Sequence, residues 1–137
     1  MATNDRPLGW TTLEESEALI KAGLNPISAD MHYYVYPKEG NRAGLYVGYD
    51  SHEALDYVRR DVYDYIPAWS FCTLWKLLPQ YIEGYGLEAY RKGDNKEVIW
   101  YWSEDYIEDL QTYCSDYQIE SVVKMVLWCL SNGYIKK

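Results

Sequence analysis

Residues 118–131 read QIESVVKMVLWCLS, and this stretch decides the fold. Its apolar side chains recur every three or four residues, which is the spacing of one face of an α-helix. The positions that share this face are Ile119, Val122, Val123, Val126, Leu127 and Leu130. Asn132 and Gly133 follow, a pair typical of a helix end. We therefore predict a helix over 118–131 at the centre of the hydrophobic core.

Two pairs of segments upstream predict β-hairpins. Residues 87–92 and 97–102 favour strands, and the tetrad GDNK at 93–96 between them favours a turn. In the second arm Trp100 and Trp102 alternate with Ile99 and Tyr101, so the two pairs are expected on opposite faces. Residues 31–36 and 45–49 form a similar pair around PKEGN at 37–41.

Helices are predicted around these hairpins. Thr12 and Glu15 have the spacing of a capping box, so a first helix starts there and ends at Gly23. Its predicted buried face consists of Leu13, Ser16, Ile20 and Leu24. Further helices are expected over 50–66, ended by Pro67, over 69–78, ended by Pro79, and over 103–114, capped by Ser103. The last of these would present Tyr106, Ile107, Leu110, Tyr113 and Cys114 on one face.

The order of these elements predicts the fold class. Hairpins interspersed with helices, without the strand–helix–strand rhythm of a parallel sheet, indicate an α+β fold. We expect a small antiparallel sheet of two hairpins covered by about five helices. The sequence predicts one such domain over 12–137, preceded by a flexible N-terminal segment at 1–11.

Composition excludes several classes of protein. The chain has 137 residues, with 13 Lys and Arg against 21 Asp and Glu, and a formal net charge of −8. Binding to nucleic acid or to an anionic membrane requires clustered basic residues, so neither partner is expected. The longest apolar run, 125–130, is far shorter than the ~20 residues of a membrane span. With no secretory signal at the N-terminus, we expect a cytoplasmic protein. Its cysteines, Cys72, Cys114 and Cys129, are expected to be reduced and buried.

Sequence motifs of catalysis and of cofactor binding are missing. The chain has no H-E-x-x-H, no C-x-x-C, no G-x-S-x-G and no glycine-rich nucleotide loop. We therefore predict no catalytic residue, no metal ligand and no cofactor.

Acidic residues concentrate between 104 and 120. On the predicted helix, Asp105, Asp109 and Asp116 would lie along one stripe. Such a stripe is suited to a cation or to a basic partner. The alternative is a solvated helix face whose first carboxylates interact favourably with the helix dipole.

The aromatic composition is the most unusual property of the chain, with 16 Tyr and 6 Trp against 1 Phe. Tyr and Trp are preferred over Phe where one end of the ring stays in contact with water, as in binding surfaces. The candidate binding aromatics are Tyr34, Tyr36, Tyr46, Trp100, Trp102 and Trp128. Trp128 either packs under a neighbouring helix, stacks with Lys124, or is exposed as a binding hot spot.

Three segments carry a resemblance to a known group of proteins. They are Gly23-Leu24-Asn25-Pro26, Pro67-Ala68-Trp69-Ser70, and Val126-Leu127-Trp128-Cys129-Leu130 with Asn132-Gly133. In these segments the chain resembles small uncharacterised proteins of gut Bacteroidales genomes, their phages and mobile elements. The resemblance implies an accessory protein of a mobile element, and it implies no particular activity or catalytic residue.

These observations lead to three functional hypotheses. The first is a non-enzymatic cytoplasmic interaction protein that binds another protein, or a second copy of itself, through a Tyr/Trp-rich and acidic surface. The second is a module that binds a small ligand or a glycan, with aromatic rings stacking on the ligand. The third is a small carboxylate- or metal-dependent hydrolase that uses Asp105, Asp109 or Asp116.

Overall fold

A computed structural model describes residues 9–35, 43–46 and 64–137, with side chains described at 9–33 and 66–137. These residues contain three α-helices, α1 (Leu13–Lys21), α2 (Phe71–Leu77) and α3 (Gln118–Ser131), and a 3-10 helix at Pro26–Ser28. The strands are β1 (Met31–Val35), β2 (Ala43–Tyr46), β3 (Asp64–Ala68), β4 (Tyr81–Ile82), β5 (Tyr85–Arg91), β6 (Glu97–Ser103) and β7 (Glu108–Ser115). In these ranges, no helix has the length and apolar character that crossing a bilayer requires.

The strands form two antiparallel sheets. One has the order β2-β1-β3, and the other has the order β4-β5-β6-β7. The predicted α+β character is therefore present, but one small sheet of two hairpins under about five helices is wrong. Each predicted hairpin gains further strands and becomes part of its own sheet: β3 pairs with β1, and β4 and β7 flank the pair β5–β6. The described residues hold three α-helices.

The predicted helix at 103–114 is wrong, because this segment is a turn followed by the edge strand β7. Ser103 ends β6, its hydroxyl oxygen accepts a hydrogen bond from the Tyr106 N–H (3.2 Å), and its carbonyl accepts one from the Ile107 N–H (2.9 Å). This tight turn reverses the chain direction, so residues 108–115 run antiparallel beside β6. Pairing with β6 satisfies the backbone hydrogen-bonding groups of this segment. The helix-like spacing of apolar residues was therefore overridden by a non-local partner.

The predicted helix at 50–66 is also wrong where it can be compared. Residues 50–63 lie outside the described residues, but 64–66 belong to strand β3. Pro67 lies within this strand, opposite His32, and does not end a helix. Because β3 is the edge of its sheet, a residue without an N–H is tolerated there.

Both predicted hairpins form, although the second arm of the first is β2 at Ala43–Tyr46, where the sequence predicted 45–49. β1 pairs with β2 and β5 pairs with β6, with registers such as Tyr33 opposite Leu45 and Leu87 opposite Tyr101. In the second hairpin Asn95 adopts a left-handed conformation, φ 64°, which is the turn chemistry that its sequence indicated. The expected turn at 37–41 lies outside the described residues.

The predicted caps of α1 are present, and α2 also has a side-chain cap. The Thr12 hydroxyl accepts from the Glu15 N–H, the Glu15 carboxylate accepts from the Thr12 N–H, and Gly23 follows the helix with φ 105°. The buried face of α1 is centred on Ser16 and Leu19, so the expectation that Ile20 is buried is wrong. The Ser70 hydroxyl caps α2 within the predicted range 69–78.

The helix predicted at 118–131 is confirmed as α3, and it is the centre of the core. It packs against β6, β7, α1 and α2. Val122, Met125 and Val126 are fully buried, because they contact the side of the larger sheet that carries Ile99 and Tyr101. The Ser121 hydroxyl also donates a hydrogen bond to the Glu97 carbonyl oxygen, at 2.8 Å, where the helix crosses the start of β6.

A buried polar cluster joins residues near the N-terminus to the rest of the fold. The Thr11 Oγ1 accepts a hydrogen bond from the Trp69 N–H at 3.1 Å and lies 2.7 Å from the Ser16 Oγ. The Tyr33 hydroxyl donates to the Thr11 carbonyl oxygen at 2.7 Å. One threonine therefore links α1, β1 and the end of β3.

Candidate functional site

The two faces of the larger sheet differ in what covers them. α3 packs on the inner face, where Ile99 and Tyr101 are fully buried. The alternation of β6 sends Trp100 and Trp102 to the opposite side, which we call the outer face. Apart from Val98, which is 2% exposed, the described side chains of this face are half-buried or exposed, so the part of it around Trp100 and Trp102 is accessible to a ligand.

Register places the outer-face residues in three rows across the strands, because residues directly opposite each other in antiparallel strands share a face. The first row is Tyr81, Gly86, Trp102 and Asp109; the second is Glu88, Trp100 and Thr112; the third is Tyr90, Val98 and Cys114. Each row therefore contains at least one aromatic ring, and the first two rows also contain a carboxylate, Asp109 in the first and Glu88 in the second.

Three aromatic rings of the outer face pack together. The ring centroids of Trp100 and Trp102 are 4.6 Å apart with an interplanar angle of 14°, and Tyr90 packs against Trp100 at 5.1 Å. The Trp100 indole N–H donates a hydrogen bond to Glu88 Oε1 at 3.1 Å, which fixes the ring orientation. The rings are held in place before any ligand binds, and preorganised rings lose little conformational entropy on binding.

One end of this sheet carries most of the exposed apolar side chains of the site. Here the β4–β5 and β6–β7 turns lie side by side, and Tyr81, Tyr106 and Ile107 are 66%, 62% and 78% exposed. Ile107 has φ 54°, a conformation that is strained for a β-branched residue. Exposed apolar residues on a strained turn are typical of a binding site rather than of a stabilising element.

Hydrogen bonding between the two turns orders this end. The Tyr85 hydroxyl donates to Glu108 Oε1 at 2.8 Å, and the Tyr85 ring lies 5.6 Å from that of Tyr106. The bond to Glu108 raises the pKa of Tyr85, because ionising the phenol would remove the donor. The phenol therefore remains a hydrogen-bond donor at neutral pH.

A depression of about 420 Å³ lies beside Trp102 at this end. Its lining includes Tyr81, Gly86, Trp102, Glu88, Glu104 and Asp105. A Cβ built on Gly86 would lie 3.5 Å from Cε1 of Tyr81. Because glycine has no side chain, the space between the rings of Tyr81 and Trp102 stays open. Its walls therefore combine aromatic faces with carboxylates.

A wider groove of about 710 Å³ runs between α1 and α3. Ala18, Val123 and Leu127 contribute apolar surface to it, so Leu127 lines this groove and is only partly buried. Its charged lining residues are Lys124 and the carboxylates Glu14, Glu15, Asp116 and Glu120. It has neither the stacked rings nor the single sign of charge that mark the outer face.

The sequence-predicted site residues are distributed over several places. Trp100, Trp102 and Asp109 come together on the outer face, and Asp105 lines the depression at its end. Asp116 lies at the opposite end of the sheet, in an ion pair with Lys96. The predicted helical stripe of Asp105, Asp109 and Asp116 does not form, because these residues lie in a turn, in a strand and after that strand.

Trp128 does not belong to the outer face. Its ring lies 6.4 Å from that of Tyr101 and 5.3 Å from that of Tyr134, where it packs against the core as a partly buried residue. Tyr34 and Tyr46 lie on β1 and β2 of the smaller sheet, and Tyr36 lies outside the described residues.

Sequence analysis did not single out Tyr81, Glu88, Tyr106 or Ile107. Tyr81 and Glu88 belong to the hairpin of β4 and β5. Its turn is Glu83-Gly84, and Gly84 is the one residue there whose type indicates a turn. Tyr106 and Ile107 were placed on a buried helix face. If residues 108–115 are interpreted as a strand, Tyr106 and Ile107 fall in the turn before it, where side chains are exposed.

The cysteines differ in their exposure. Cys129 is fully buried, and burial raises the pKa of its thiol to about 11, so the unreactive thiol form prevails at neutral pH. Cys72 and Cys114 are exposed, so the expectation that all three are buried is wrong. The edge strand β7 turns Cys114 outward, whereas the predicted helix would have turned it toward the core.

The site residues are suited to stacking, to hydrogen bonding and to attracting positive charge. In the part of the chain that the structure describes, no three His, Cys, Asp or Glu side chains are grouped as metal ligands would be. The chain matches no protein-family model, no curated protein and no solved structure.

Proposed function

We propose that this chain is a non-enzymatic binding protein and that the outer face docks another protein. The observation that carries the proposal is the stacked pair Trp100–Trp102, held in a fixed orientation on an accessible sheet face. Trp and Tyr dominate binding hot spots, because one rigid ring removes a large apolar area from water. The exposed Tyr81 and Tyr90 extend this surface on either side.

The setting that we propose is the cytoplasm, with a role as an accessory protein. The resemblance to proteins of Bacteroidales phages and mobile elements supports such a role. An accessory protein of this kind acts by binding a protein of its host or of its own element.

A random-peptide display library selected against the wild-type protein tests the proposal. We expect enriched peptides whose affinity falls at least tenfold, about 1.4 kcal/mol, in Trp102→Ala and in Tyr81→Ala. Tyr81 is exposed, so its variant should fold normally and remain informative if Trp102→Ala is unstable. The control variant is Ile27→Ala, which removes an 89% exposed apolar side chain from the 3-10 helix and should bind as wild type.

Two results would overturn the proposal. One is a selection without enrichment. The other is enriched peptides that bind the Trp102→Ala and Tyr81→Ala variants as tightly as they bind the wild type.

A glycan-binding module is the second candidate, and the depression beside Trp102 favours it. A sugar ring could stack on an aromatic face there while Glu88 and Asp105 accept its hydroxyl hydrogen bonds. Binding on a glycan array that is lost in Trp102→Ala, together with a peptide selection that fails, would favour this candidate over the first.

A further inference from the structure

We propose that the segment docked on the outer face is basic, and that it places an arginine side chain at the acidic end. By the acidic end we mean the end of the larger sheet at the β4–β5 and β6–β7 turns. Glu88 and Asp109 lie there on the outer face, Glu83, Glu104 and Asp105 lie in the turns, and register places Glu108 on the inner side. The inference rests on the proposed function and specifies the chemistry of the partner.

The described segments that build this end of the sheet carry charge of one sign. Residues 77–90 and 97–123 contain no Lys, Arg or His, although they include every carboxylate of the acidic end. Carboxylates on neighbouring strands and turns create a negative potential, which attracts a cationic ligand and raises its association rate.

Among the described residues, the hydrogen bonds to Glu88, Glu108 and Asp109 do not neutralise their charge. Glu88 accepts from an indole N–H, Glu108 from the Tyr85 hydroxyl, and Asp109 from the hydroxyl of Thr112. All three donors are neutral, so each carboxylate keeps its full negative charge.

The opposite end of the same sheet is different. There Glu97 forms an ion pair with Arg91 at 2.7 Å, and Asp116 forms one with Lys96. Among the described residues the sheet therefore has one end whose charges are paired within the chain and one end whose charges are left for a ligand.

Aromatic faces next to these carboxylates specify arginine more closely than lysine. A guanidinium group is planar, stacks on Trp and Tyr rings, and donates two parallel hydrogen bonds to a carboxylate. Trp102 and Tyr81 flank Gly86 in the first row, and Glu88 and Asp105 line the same depression. An arginine side chain in this depression would contact an aromatic ring and a carboxylate together.

The same charges disfavour other occupants. A second copy of the chain would bring two acidic ends into one interface, and like charges brought together at an interface cost several kcal/mol. A nucleic acid would meet the same repulsion from its phosphates. A basic segment of another protein is the occupant that relieves the repulsion.

The test uses acetylated, amidated hexa-arginine as the probe, measured by the quenching of tryptophan fluorescence and by isothermal titration calorimetry at two salt concentrations. Hexalysine and a neutral Gly-Ser hexamer are the comparison peptides. We expect saturable one-to-one binding of hexa-arginine that weakens as salt rises, with at least threefold weaker binding of hexalysine and none of the neutral peptide.

Variants distinguish binding at the acidic end from a general effect of the protein's net charge. Glu88→Gln, Asp105→Asn and Tyr81→Ala are each expected to weaken hexa-arginine binding at least threefold. Glu17→Gln, at an exposed position of α1, removes the same charge away from the sheet and should leave binding unchanged. Equal weakening by Glu17→Gln, or unchanged binding in Tyr81→Ala, would overturn the inference, and so would hexa-arginine binding no better than the neutral peptide.

The inference and the proposed function can fail separately. If the peptides selected by display depend on Trp102 but show no excess of Arg or Lys, the outer face is a docking site and its basic specificity is refuted. If no selected peptide depends on Trp102 or on Tyr81, both are refuted.

Discussion

Replacing Thr11 with valine should destabilise the fold by an amount that its hydrogen bonds allow us to predict. Valine has nearly the same shape as threonine but has no hydroxyl. The Thr11 Oγ1 is fully buried, accepts a hydrogen bond from the Trp69 N–H and is hydrogen bonded to the Ser16 hydroxyl. Thr11→Val removes both bonds while preserving the packing.

The expected loss follows from the groups left without partners. A buried polar group that loses its hydrogen-bond partner costs about 1–3 kcal/mol. Here the Trp69 N–H loses its acceptor and the Ser16 hydroxyl loses its partner. The Ser16 hydroxyl can rotate toward a carbonyl of the preceding turn of α1, which recovers part of the cost. We therefore expect the free energy of unfolding to fall by about 2–4 kcal/mol, and the melting temperature to fall by roughly 6–12 °C.

Urea unfolding followed by circular dichroism measures this loss. The control is Thr112→Val, the same change at an exposed position of β7, which should stay within about 0.5 kcal/mol of wild type. Adding Ser16→Ala to Thr11→Val should cost less than Ser16→Ala does alone, because the serine has already lost its partner. A loss below about 0.5 kcal/mol for Thr11→Val would refute the argument that the cluster is fully desolvated.

Three further predictions concern pH and the ends of α1. Burial raises the pKa of Cys129 from 9.0 to about 11, so above pH 9 the unfolded chain releases a proton that the folded chain keeps. Cys129 alone should therefore lower stability by about 2 kcal/mol between pH 9 and 11 in urea titrations. Burial also raises the pKa of Tyr101, which adds to the loss above pH 10, so Cys129→Ala should reduce the slope without abolishing it. Gly23→Ala should cost about 1–2 kcal/mol by the same assay, because φ is 105° and its Cβ would lie 2.8 Å from the Lys137 side chain; an unchanged midpoint would contradict this. Thr12→Ala, which removes the capping hydroxyl of α1, should cost about 1 kcal/mol, whereas Thr12→Ser should stay close to wild type in the same titration.

The elements that sequence predicted well are those stabilised by nearby residues. α3 follows from apolar spacing within fourteen residues, and the turn at 93–96 follows from its own side chains. The capping box of Thr12 and Glu15 joins residues three positions apart. In each case the partners lie within one short window, so the pattern contains the whole interaction.

The wrong elements are those whose partners are distant in the chain. Residues 108–115 and 64–66 both carry apolar residues at helical spacing, yet both are edge strands. Their backbone groups pair with β6 and with β1, and no local pattern shows that these strands are available. Tertiary pairing outweighs a modest helix propensity, because it satisfies a row of backbone hydrogen bonds at once.

The candidate site shows the same division. The sequence by itself determined that Trp100 and Trp102 share one face of a strand, because the side chains of a strand alternate with a period of two. It also determined the aromatic excess, the acidic balance and the helix that forms the core. The tertiary structure alone decided which face of the sheet α3 covers, and so which aromatics remain accessible. It also brought Tyr81, Glu88 and Asp105 beside Trp102. Strand pairing joins segments that are distant in the chain, and no pattern within a single segment shows which other segment it will pair with.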